Sequence, residues 1–191
     1  MKIAEYQALA MRTSPDGHDR VMNGCMGLIG ECGEVMDTLK KWLFQSGEKA
    51  PMPREKLQEE LGDVLWYCAE TCTGMGIDLT HAIEEFAAKS ADVVKPSSAV
   101  KCVYTMVKFA TDMFRLVGLD ETDFIRQRQQ EQYSGFCAVE IGYIVFLINL
   151  FLNRYLDTTL ERAMEANIEK LRRRYPEGFD PERSLHREAE K

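Results

Sequence analysis

Apolar residues in this chain recur every three to four positions almost from end to end, and no stretch sustains the alternation of a half-buried strand. A sheet needs the other period, so the pattern restricts the fold to packed helices. Helices are expected near 2–12, 20–45, 54–75, 78–94, 97–117, 134–156 and 157–175. Breakers separate them. SGEKAPMP at 46–53 holds two prolines and a glycine, Gly74-Met75-Gly76 ends one helix, and Asp78 can cap the next. Pro96-Ser97-Ser98 and the polar segment 118–131 are expected connections, and the charged tail after Pro176 is expected to be partly extended. The fold class is therefore all-α, a helical bundle in one domain spanning 1–191. Within it, a carboxylate-bearing half covers about 1–95, a degenerate or inserted half about 96–175, and the tail 176–191.

Composition narrows the function classes. The 191 residues are 45% hydrophobic, enough for one buried core, and 29% charged with the signs interspersed. A net charge of −7 argues against a dominant nucleic-acid or anionic-membrane surface, since both need an excess of Lys and Arg. Six cysteines lie within apolar helical patterns without a Cys-x-x-Cys, and read as reduced core residues of a cytosolic protein. The three histidines, His18, His81 and His186, lack zinc-ligand spacing to any cysteine. MKIAEYQALAMRT lacks the apolar centre of a signal peptide. The most apolar run, Ile141 to Leu152, has 12 residues against the ~20 that span a bilayer, so it reads as a core or subunit-interface helix.

A weak internal repeat runs through the chain. Glu60-Leu-Gly-Asp63-Val-Leu-Trp66 resembles Glu140-Ile-Gly-Tyr143-Ile-Val-Phe146 at an offset of 80, and Leu79-x-x-Ala82-Ile83-Glu84 resembles Leu160-x-x-Ala163-Met164-Glu165 at 81. Either a duplication or the shared apolar spacing of helices produces such matches. If duplicated, the halves are complementary. Glu31 and Glu34 fall on Thr111 and Phe114, and Phe86 falls on Asn167.

Two carboxylate pairs carry the chemistry, Glu31-x-x-Glu34 and Glu60-x-x-Asp63. Residues three apart are neighbours on one helix face. The first pair flanks the apolar arc Leu28, Val35, Leu39 and Leu43, and the second flanks Leu57, Leu61, Val64, Leu65 and Cys68. Helices packed through those arcs can bring the pairs together. Gly30, Gly33 and Gly62, each costing roughly 0.8–1 kcal/mol relative to Ala inside a helix, are expected where a backbone or ligand approaches closely. Four unpaired carboxylates at a core edge would repel one another and raise their own pKa values. A hard divalent cation resolves that conflict, and oxygen-only ligation favours Mg²⁺, with Mn²⁺ as substitute, over zinc or di-iron. A di-iron bundle also wants Glu-x-x-His, which is absent. A solvated acidic face on a non-catalytic metal-binding or interaction protein is the bland alternative.

Farther on, Asn167, Lys170 and Arg174 share a helix face, an amide, an ammonium and a guanidinium suited to a triphosphate tail. Basic residues also favour helix C-termini for dipole reasons, and Pro176 and Gly178 simply stop this helix. Lys41 shares a face with Glu34 and Thr38, within reach of phosphate or else merely solvated. Trp42, Trp66 and Tyr67 are candidates for base stacking or for core packing.

Three strings, GLIGECGEVMDTLKKW, EELGDVLWYCAE and NIEKLRRRYPEGF, together resemble the MazG family of nucleotide pyrophosphohydrolases, and EYQALAMRT resembles its phage and bacterial members. The resemblance covers roughly 1–85 and 157–187. It implies the all-α NTP pyrophosphohydrolase fold and hydrolysis of a nucleoside triphosphate to the monophosphate and pyrophosphate. It implies Mg²⁺ on Glu31, Glu34, Glu60 and Asp63, nucleotide contacts from Asn167, Lys170 and Arg174, and a cytoplasmic homodimer or higher homo-oligomer. The intervening residues 87–156 depart from a minimal member and resemble the arrangement of dimeric dUTPases, in which two repeats share one chain.

Overall fold

Asp19 starts the longest helix of the first half by accepting from the amides of Val21 and Met22 at 3.1 and 3.0 Å. A computed structural model of the chain describes residues 1–46, 50–90, 93, 95–118 and 123–185. His186 and parts of the expected connections lie outside the described residues. Helices α1 (Ile3–Met11), α2 (Arg20–Gln45), α3 (Arg54–Gly74), α4 (Leu79–Lys89), α5 (Ala99–Gly118), α6 (Asp123–Phe151), α7 (Leu160–Arg174) and α8 (Pro181–Leu185) make the chain all-α.

Two expectations are corrected. From Asp123 on, the polar stretch before residue 134 is not a connection but the start of α6; Arg, Gln and Glu are good helix formers and no breaker interrupts them. Asp78 stands at the start of α4 without a capping bond; the Leu79 amide instead donates to the Gln7 side chain of α1 at 2.7 Å. The tail, expected to be partly extended, also contains α8.

The core forms between α2, α3, α5 and α6. α2 packs along α3 and α5, and α6 packs along α5. The flanking helices cross over: α4 follows α3 but packs on α6, while α7 follows α6 and packs on α3, with α1 bridging α3 and α7. α2 and α3 meet closely. A Cβ at Gly24 would come within 2.1 Å of the Thr71 hydroxyl, and one at Gly27 within 2.1 Å of the Tyr67 ring. α6 is long and apolar enough to cross a membrane, but Ile141, Ile144, Leu147, Ile148 and Phe151 are fully buried, so it is a core helix here. A π-helical turn at Leu152–Leu156 and left-handed Asp157 (φ 53°) then redirect the chain, and Thr159 caps α7 by accepting from the Arg162 amide.

All six cysteines are buried free thiols. Burial pushes the Cys25, Cys32 and Cys137 thiols up to about 12, so they act as small apolar core residues.

Candidate metal and nucleotide site

The close contact of α2 with α3 sets two carboxylate-bearing faces against each other. Glu31, Glu60 and Asp63 each turn an oxygen to one point, the three atoms lying within 4.8 Å of one another. Glu34, one turn along α2, is exposed and outside this cluster. Among the residues named from sequence, the structure thus brings together three carboxylates and leaves the fourth at the rim.

Opposing charges compensate part of the cluster, which corrects the expectation of four unpaired carboxylates. Lys56 approaches Glu60 at 2.6 Å from one turn earlier on α3. From α7, Lys170 places its ammonium 2.5 Å from both oxygens of Asp63, and Asn167 donates to Asp63 Oδ1 at 3.0 Å. Burial pushes the Glu31 carboxyl up to about 7, and the charges of Asp63 and Glu60 push it the same way against Lys170. The repulsion foreseen for the whole group is felt at Glu31.

Glu59 and Tyr6 escaped the sequence reading. Glu59 lies 3.5 Å from Lys170, 3.6 Å from Arg174 and 3.7 Å from Lys56. Burial raises its carboxyl, but these cations outweigh burial and hold it below the ordinary glutamate range. The signal was available, since Lys56 stands three and four residues before Glu59 and Glu60. Tyr6 gave no local signal; only tertiary packing brings its hydroxyl to Asn167.

Beside the carboxylates, a pocket of about 410 Å³ is lined by Glu55, Gln58, Glu59, Ala166, Asn167, Lys170, Arg173 and Arg174. This volume lies within the span of small-ligand sites. Lys41 is not brought to it. Its ammonium pairs with Asp37 at 2.6 Å along the exposed face of α2. Trp66 donates to the Ala10 carbonyl and to Thr13, and Trp42 to the Ala50 carbonyl, so both indoles serve packing. His81 is exposed. Of the glycines, Gly62 has a close neighbour: an added Cβ would lie 3.2 Å from the Asn167 side chain. Gly30 and Gly33 face solvent on α2, where an added Cβ would meet nothing within 4 Å, which corrects the expectation that protein backbone approaches them.

Residues 23–95 match the family model of the MazG nucleotide pyrophosphohydrolase domain. Over that segment the chain is similar to a MazG-type domain. That segment spans α2 to α4 and holds Glu31, Glu34, Glu60 and Asp63, while α1 and α7 lie outside it. A curated relative, the Gene 37 protein of Mycobacterium phage L5, is 41% identical over 56 residues, 29% of this chain and 49% of that protein. The chain thus spans about half the length of the curated relative it matches. No solved structure matches. Three carboxylate oxygens from α2 and α3, with no nitrogen or sulfur donor in the cluster, fit a hard divalent cation.

Proposed function

We propose that this chain is a Mg²⁺-dependent nucleotide pyrophosphohydrolase, converting an NTP or dNTP and water to the monophosphate and pyrophosphate. The observation that carries the reading is the junction of the Glu31–Glu60–Asp63 cluster with the basic pocket of α7, joined through Asn167 and Lys170. Carboxylates without the pocket would fit any cation site, and the pocket without carboxylates any phosphate site.

In this reading Glu31, Glu60 and Asp63 hold the cation, with Glu34 at the rim as the fourth carboxylate. When bound, Mg²⁺ neutralises phosphate charge and makes a coordinated water more acidic. Lys170, Arg173 and Arg174 steady the β and γ phosphates and so stabilise the charge that grows on departing pyrophosphate. Exposed Glu34 is the carboxylate best placed to exchange the proton of the attacking water with solvent. Mn²⁺ would serve as a substitute ion. House-cleaning of the nucleotide pool in the cytoplasm, by a homodimer or higher homo-oligomer, completes the proposal.

A panel of natural and modified NTPs with Mg²⁺, scored for monophosphate and pyrophosphate, tests the reading. Pyrophosphate release that EDTA stops is expected. Orthophosphate as first product, or turnover indifferent to EDTA, overturns it.

A further inference from the structure

We propose that Tyr6 is a positioning residue for the cation site, acting through a buried relay from its hydroxyl to Asn167 and from Asn167 to Asp63. The inference rests on the metal reading above and adds a residue outside the segment matched to the MazG family.

Tyr6 is fully buried where α1 bridges α3 and α7. Its hydroxyl lies 3.0 Å from Asn167 Oδ1 and 3.4 Å from the Gly62 carbonyl. Asn167, only 3% exposed, turns Nδ2 to Asp63 at 3.0 Å. The direction of the relay follows from chemistry. A carboxylate only accepts, so the amide must present its NH₂ to Asp63. Its carbonyl oxygen then faces Tyr6, and the phenol must donate. Gly62 makes room for this: a side chain there would press on the Asn167 amide at 3.2 Å. Asn167 is thereby held from both sides, and Asp63 is fixed in rotation by a neutral donor while retaining lone pairs for a cation. The Lys170 bond cannot do the same, because an ammonium is a rotating point charge and here spans both oxygens.

Outer partners that orient a metal ligand typically govern its affinity about 10- to 100-fold. Tyr6→Phe removes one oxygen and keeps the ring, so the fold survives. Titrating Mn²⁺ into the purified full chain by calorimetry should show binding weakened about 10- to 100-fold in Tyr6→Phe. Gln7→Ala is the structural control. It removes bonds that tie α1 to Thr73, Ile77 and Leu79 without touching Asn167, so it should lower the melting temperature and leave Mn²⁺ affinity unchanged. Asn167→Ala should weaken binding as Tyr6→Phe does, and adding Tyr6→Phe to it should change affinity by less than about twofold, since one relay is broken once. Full-strength binding in Tyr6→Phe, or additive losses in the double variant, overturns the relay alone. Wild-type protein that binds no Mn²⁺ overturns the metal reading and the relay with it.

Discussion

The contact of α3 with α7 and the contact of α6 with α4 are one joint built twice with opposite chemistry. In each, a glycine lets the partner helix lie close. An added Cβ at Gly62 would meet Asn167, and one at Gly142, 80 residues on, would meet Phe86 and the Ala82 carbonyl. Beside Gly62, Asp63 bonds Asn167; beside Gly142, Tyr143 stacks on Phe86 with ring centres 4.9 Å apart. Beside the first glycine Glu60 has Lys56, whereas beside the second Glu140 has Phe136 at the corresponding position and a buried oxygen with no hydrogen-bond partner. The crossover of α4 and α7 sets these two joints at the 80-residue offset read in the sequence. It also teaches what a cation site costs: the first joint keeps buried charge and compensates it with α7, and the second replaces nearly all of it with aromatic packing among Phe86, Phe109, Tyr143 and Phe146.

The sharpest break in the comparison is to empty the position at which the joints differ most. Asp63→Ala should abolish metal-dependent pyrophosphate release. It should also destabilise the protein by roughly 2–4 kcal/mol, because buried Asn167 loses its acceptor and Lys170 keeps only the longer contact to Glu59. Activity assays with a urea melt check both, and a variant as stable as wild type would mean that Glu59 alone compensates Lys170.

The glycines come next. At Gly142 an added Cβ would sit 2.2 Å from the Ala82 carbonyl, a backbone atom that only a shift of α4 can relieve. Gly142→Ala should cost about 2–3 kcal/mol despite the better helix propensity of Ala. At Gly62 the contact is a 3.2 Å approach to a side chain, so Gly62→Ala should be close to neutral in stability. Its effect should appear in weakened Mn²⁺ binding as Asn167 is displaced. Equal melting shifts would erase the distinction between the joints.

Titration gives a smaller effect. Burial pushes Glu31 up to about 7 in the folded chain, above its ordinary value, so the folded state binds more protons than the unfolded one between those limits. Metal-free stability should therefore fall as pH rises through 7. Cation binding must displace that proton, so Mn²⁺ affinity should drop as pH falls below 7. Glu31→Gln should stabilise the metal-free protein at pH 8 by about 1 kcal/mol after allowing for solvent screening, and should lose the pH dependence of its melting temperature near 7. An unchanged profile would sink the assignment of the charge strain to Glu31.

The smallest effect belongs to the second joint. Burial pushes Glu140 up to about 7 as well, against the attraction of Lys108. Glu140→Gln should raise the melting temperature slightly above pH 7, leave it unchanged near pH 4, and leave Mn²⁺ affinity untouched. Any loss of cation binding would show that the second half is not merely a packing partner.

Legibility differed by residue for physical reasons. Helix positions and the Glu31, Glu34, Glu60 and Asp63 spacing are local properties, readable from periodicity alone. Lys41 misled because a lysine one turn from an aspartate on the same helix satisfies itself locally, as it does with Asp37. Gly30 and Gly33 meet no protein backbone; glycine's helix cost is the same on either face, and only packing shows that Gly24 and Gly27 take the contact with α3. Glu59 was readable in principle from Lys56. Tyr6 was not, since nothing within one turn of it announces a polar partner.

What the sequence determined by itself is the all-α class, the burial of Ile141 to Leu152, and the two carboxylate-bearing faces, because each depends on spacings of three or four residues that any helix imposes. The tertiary structure decided which carboxylates converge, that α7 rather than α4 lies across α3, and that a tyrosine from α1 reaches the site. The last two outcomes depend on contacts between residues more than 100 positions apart, such as Asp63 with Asn167 and Lys170. Such contacts are selected by the joint packing of several helices, a balance of shape and burial that no local window of residues contains.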